Sequence, residues 1–177
     1  MQIKTEDPNL RLALIALFLA SPVFAGDADD TMAALLGHCV APLETTSELG
    51  AGLTRAAPEM EAKLLDGKAA KILRTENPRV VVVAHDSGDT CEIMALGMTI
   101  SEFDTAFRDW LTTQQDYRVD ATAKMADDVA GGAFIARKLP DAGYVQAFIQ
   151  THPDSGFIGI TVSRVASSAA ADELFGQ

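Results

Sequence analysis

The chain has 177 residues, of which 48% are hydrophobic and 22% charged, and it carries a net charge of −11. That length and balance describe an ordinary globular protein. The acidic charge excludes partners whose binding rests on Lys and Arg neutralising phosphates, so neither nucleic acid nor an anionic membrane surface is expected.

Residues 1–25 read as a secretory signal. "LALIALFLA", Leu12 to Ala20, is an uninterrupted apolar run that Pro22 breaks, and Val23 and Ala25 stand at the −3 and −1 places of a signal-peptidase site ahead of Gly26. The run is shorter than the roughly 20 apolar residues a transmembrane helix needs. Its amino-terminal flank is atypical, because Glu6 and Asp7 balance Lys4 and Arg11. Lipidation at Cys39 is rejected, since His38 stands where a small residue is required. The expected mature chain is one α+β domain over residues 26–177, periplasmic or secreted, with no membrane span once the signal is cleaved near Ala25.

Asp29 or Asp30 can cap a first helix in which Met32, Leu35, Leu36 and Cys39 follow helical spacing, and Pro42 is expected to end it. Pro58 opens a second short helix carrying Met60, Leu64 and Leu65, and Gly67 closes it. "AKILRT", Ala70 to Thr75, is a short strand, and Asn77–Pro78 turns the chain. Four consecutive valines, Val80 to Val83, are stiff at χ1 and favour a strand. "DSGD" after them is turn chemistry, and Thr90 to Leu96 returns in a register that sets Ala84 opposite Cys91 and Val82 opposite Ile93.

Ser101 with Asp104 resembles a capping box for a helix whose Phe103, Phe107, Trp110 and Leu111 form one apolar stripe. Tyr117 to Gly132 is polar and alanine-rich and reads as a loop or frayed helix. Three strands follow, "AFIARKL", "GYVQAFIQT" and "FIGITVSRV", joined by the hairpin turns "PDAG" and "HPDSG". This order predicts an α+β fold: an antiparallel sheet of five to six strands with two to three helices packed on one face.

His85, Asp86, Ser87, Asp89 and Cys91 lie within seven residues and invite a catalytic reading. A triad needs Ser and His in hydrogen-bond reach with the acid behind the His, whereas consecutive turn residues splay apart. A zinc site from His38, Cys39, His85 and Cys91 fails for a related reason. On a hairpin His85 and Cys91 point to opposite faces, and on a helix His38 lies about 100° around from Cys39. No P-loop, H-E-x-x-H, C-x-x-C or dinucleotide fingerprint is present. No catalytic residue, metal or cofactor is therefore expected. One candidate binding face remains, Tyr144, Gln146, Phe148 and Gln150 on alternate positions of one strand. The bland alternative puts Phe148 in the core and the glutamines on a rim.

The exported leader, the C-x-x-P of Cys39 to Pro42 and the "CEIM" strand of Cys91 to Met94 together resemble small secreted proteins of alphaproteobacteria. That resemblance implies export and a paired cysteine, and it supplies no catalytic residue. Two cysteines in an oxidising compartment allow one intramolecular pairing, Cys39–Cys91, and two separately buried thiols are the alternative. The expected role is a non-enzymatic binding or accessory domain acting on a periplasmic protein or a small ligand. The alternatives are a small hydrolase with an unrecognised site and an inhibitor- or immunity-type protein.

Overall fold

The computed structural model describes residues 27–65, 67–98, 100–120, 131–141, 143–152 and 157–176. The expected leader and the tip of the "HPDSG" turn lie outside the described residues. Helix α1 (Asp27–Leu35) starts with Asp27, Asp29 and Asp30 in its first turn, where carboxylates suit the positive end of the helix dipole.

Contrary to expectation, Pro42 does not end this helix. The chain runs on through a π turn (Leu36–Val40) into α2 (Ala41–Thr45). Pro42 has no N–H to offer the carbonyl four residues back, and the wider π turn is where the backbone absorbs that loss. Ala41 N–H reaches Leu36 O instead. The His38 carbonyl, which Pro42 cannot serve, accepts from Gly50 N–H at 3.1 Å. Gly50 makes that approach with a φ of +65°, and a Cβ there would fall 2.1 Å from Leu73 Cδ1.

One antiparallel sheet follows. Its strands are β1 (Thr54–Arg55), β2 (Ala70–Arg74), β3 (Val80–His85), β4 (Thr90–Leu96), β5 (Tyr117–Asp120), β6 (Gly131–Lys138), β7 (Tyr144–His152) and β8 (Phe157–Val165). Helix α3 (Pro58–Leu65) lies between β1 and β2, α4 (Ile100–Thr112) between β4 and β5, and α5 (Ala169–Gly176) after β8. The spatial order β1-β2-β3-β4-β8-β7-β6-β5 makes two meanders that meet at their last strands. Each meander is preceded by a helix, and the two helices, α1 and α4, pack on each other. The sequence shows no internal repeat, yet the architecture repeats helix-then-meander twice.

The inner face carries the main core. Val80, Val82, Cys91, Ile93, Ile160, Val162, Val145 and Ile135 point inward at alternate positions and are almost fully buried under α1, the π turn and α4. From α4 the expected stripe of Phe103 and Phe107 is buried, with Trp110 and Leu111 half-buried beside it. The disulfide Cys39–Cys91 pins the π turn to β4 with a Cα–Cα distance of 5.5 Å, and both residues are fully buried. Among the described residues no helix is long and apolar enough to cross a membrane.

Four further expectations are corrected. Among the described residues the sheet has eight strands and not five to six: β1 is too short to leave an alternation in the sequence, and β5 occupies the start of a stretch read as loop or frayed helix. Tyr117 holds β5 in place by setting its ring against Trp110, 5.1 Å between centroids, and pairing with Arg137 of β6. Helices cover both faces: α3 sits on β2 and α5 on β5 and β6, opposite the main core. Counting the run 27–45 as one, the described residues hold four helices, more than the two to three expected. Ser101 is not a cap, since the helix already includes Ile100, and Asp104 pairs with Arg108 at 2.6 Å.

Candidate functional site

Strand alternation puts a distinct set of side chains on the outer face, and the register aligns them in rows. One row runs Thr90, Ser163, Gln146, Ala136 and the next Val83, Glu92, Thr161, Phe148, Phe134. A third runs Val81, Met94, Gly159, Gln150. Apolar shoulders stand at both ends. Under α3 are Ala56, Leu65, Ala70, Ile72 and Val83, and under α5 are Phe134, Ala136, Tyr144 and Ala171. Between the shoulders, β4, β8 and β7 present a strip that is half-buried and largely polar: Thr90, Glu92, Thr161, Ser163, Gln146 and Gln150.

All four residues of the candidate binding face therefore share the outer face, in different circumstances. Tyr144 is buried under α5, where its ring lies 5.8 Å from that of Phe175 and its hydroxyl donates to the Asp172 carboxylate. That bond, with burial adding to it, raises the phenol's pKa. Phe148 is half-buried with its ring 4.6 Å from Phe134. Gln150 is half-buried further along the strand. Gln146 differs from the rest: its Oε1 is buried and has no hydrogen-bond partner among the described residues.

At the β3 edge of the strip His85 Nε2 meets Glu92 Oε1 at 2.7 Å, and Lys68 Nζ stands 3.9 Å from the same oxygen. An ionised carboxylate only accepts, so the imidazole donates from Nε2. The remaining polar residues of "HDSGD" close the turn. Gly88 takes a φ of +75°, and the Ser87 hydroxyl donates to the Asp89 carboxylate, which also accepts from Thr90 at 3.2 Å. The Ser87 bond is the main cause that holds the Asp89 carboxyl below its usual range. His85 and Ser87 each bond a different acid and not each other. Cys39 and Cys91 are consumed in the disulfide, and among the described residues no group of three or more His, Cys, Asp or Glu is placed to hold a metal ion.

Elsewhere three carboxylates tie helices to the sheet, none of them singled out by the sequence. Glu44 of α2 accepts from the Tyr117 hydroxyl at 2.6 Å and from Arg137 at 2.7 Å, and burial together with the Glu44 bond pushes the Tyr117 phenol far up. Glu61 of α3 takes a two-pronged bond from Arg55, at 2.9 and 2.8 Å, and the Ile72 N–H at 3.0 Å. Asp27 accepts from Asn77 at 2.7 Å and from Arg79 at 3.1 Å. A cavity of about 540 Å³ opens between the loop 47–53 and the β2–β3 hairpin, lined also by Lys71, Leu73, Ala84 and Asp86.

Thr161 and Ser163 escaped the sequence reading, although "ITVS" announces them as the polar alternates of a strand whose Ile160 and Val162 face the core. No family model, curated protein or solved structure matches the chain.

Proposed function

We propose that this is an exported, non-enzymatic binding domain that takes its protein or small-molecule partner on the outer sheet face between α3 and α5. The disulfide supports export, because such bonds persist in oxidising compartments. The observation that carries the binding reading is Gln146. A buried acceptor without a donor costs about 1–3 kcal/mol, and a donor arriving with a ligand removes that cost. The strip around it is polar and half-exposed between two apolar shoulders, which is the layout of a contact surface rather than of a sealed core. Native mass spectrometry of the protein recovered from periplasm tests this. The wild type is expected to carry an added mass that Gln146→Leu loses; a bare chain in both, or the same adduct on both, contradicts it.

A hydrolase reading draws on one observation, the half-buried His85–Glu92 pair, in which a carboxylate orients an imidazole as a general base requires. It lacks a nucleophile, since no hydroxyl among the described residues is hydrogen-bonded to His85. Hydrolysis of activated esters that disappears in His85→Ala would favour this reading over binding.

A further inference from the structure

We propose that the ligand of the outer strip presents a primary alkylammonium group to Glu92, with an alkyl stem that crosses β8 toward Phe148 and Gln146. This rests on the reading of that face as the binding surface and adds the chemistry of what binds. The strip mixes hydroxyl and amide groups with one carboxylate, Glu92, and one unpartnered acceptor. Gln146 Oε1 is buried and without a donor. Glu92 uses Oε1 for His85 and Lys68, while Oε2 has no hydrogen bond among the described residues.

No Lys or Arg points outward from β3, β4, β7 or β8 among the described residues. Arg164 of β8 faces inward and donates to the Leu43 carbonyl at 2.9 Å. Lys68 stands at the rim with its side chain 61% exposed, so its 3.9 Å contact with Glu92 is weak and solvent-screened. A ligand that carries positive charge complements Glu92 on this surface.

The spacing fits an amine on a short alkyl stem. Glu92 on β4 and Gln146 on β7 are separated by β8, two strand spacings or about 10 Å. Phe148 lies in the same row as Glu92 and beside Gln146 on β7, where its half-buried ring can receive a cation on its face and methylenes at its edge. The net charge of −11 draws cations toward the whole molecule, and the strip supplies the specific contacts.

Titration calorimetry and amide NMR on the full mature chain test the proposal with putrescine and with butanediol, its uncharged counterpart. Putrescine is expected to bind, to shift the Gln146 side-chain amide, and to weaken as salt is added. Glu92→Gln, which keeps an acceptor for His85, should weaken it about tenfold or more, as loss of a charge-assisted bond does. Gln146→Leu should weaken it too, while Glu59→Gln on the exposed side of α3 should not. Absence of putrescine binding, butanediol binding as tightly, or an unchanged affinity in Glu92→Gln would overturn the ammonium proposal. If those failures coincide with an adduct in native mass spectra that Gln146→Leu removes, the surface reading survives and only the ligand class falls.

Discussion

Glu61 looks at the sheet from α3, while Met60 and Leu64 of the same helix are 41% and 46% exposed. An apolar pattern alone would have turned the helix the other way; the bonds from Arg55 and the Ile72 N–H decide its rotation. Those two partners, Arg55 first, hold the Glu61 carboxyl below its ordinary range. A carboxylate lowered in the folded state contributes stability that is complete above the unfolded value, about 4.3, and lost as pH falls through the folded value. Glu61→Gln should therefore lower Tm at neutral pH, and its gap to the wild type should close below about pH 4. Thermal melts of both proteins across that range check this, and a gap that does not change with pH would contradict it. In the turn, Ser87 is exposed and His85 only half-buried. Ser87→Ala and His85→Ala should each cost within about 1 kcal/mol, as substitutions outside a core usually do. Chemical denaturation measures it; a large loss of function from both with stability intact would return them to a catalytic role.

At the scale of elements, the disulfide joins a helix irregularity to a strand that the main core surrounds. It spans 52 positions in sequence, and the chain-entropy model gives a loop of that size about 4 kcal/mol. Protein from periplasm should have the mass of a chain starting at Gly26 less two hydrogens, and the Cys39→Ala, Cys91→Ala double variant should unfold at distinctly lower denaturant. Two alkylatable thiols in the denatured, unreduced wild type would contradict both. This bridge was legible in the sequence because Cys39 follows the stripe of Leu35 and Leu36, and Cys91 alternates in phase with Ile93. The β3–β4 register was legible for the same reason, since one face had to bury every second residue. Other elements left no such trace. β1 has two residues, both exposed, so it carries no alternation, and the π turn is a compromise between helix packing and Pro42 that no propensity encodes. Helix α5 was missed although a signal existed: Ser168 precedes an alanine run, its Oγ accepts from Ala171 N–H at 3.2 Å, and buried Ala171 marks where the helix meets the sheet.

At the scale of the whole molecule, the sequence singled out the strand proposed for binding but not the surface around it. Tyr144, Gln146, Phe148 and Gln150 alternate along one strand, and period two is readable from a single chain segment. Glu92, Thr161 and Ser163 join them only through pairings between β4, β8 and β7, which bring together residues far apart in the chain. The strand order is also what exposes the strip. The two meanders meet at β4 and β8, whereas α3 and α5 cover the outer face nearer the two edges, so among the described residues no helix lies over the centre of that face. At the entrance to β7 a Cβ on Gly143 would come 2.8 Å from the Val165 carbonyl, so that position admits no side chain without a backbone shift. The most direct test of the strip as the binding surface is a backbone and side-chain amide NMR map of the labelled mature chain, before and after addition of fractionated periplasmic extract. Shifts confined to the Gln146 side chain and to residues 90–94, 146–150 and 159–163 are predicted. Shifts confined to the cavity beside the loop 47–53, or none with any fraction, would contradict the account.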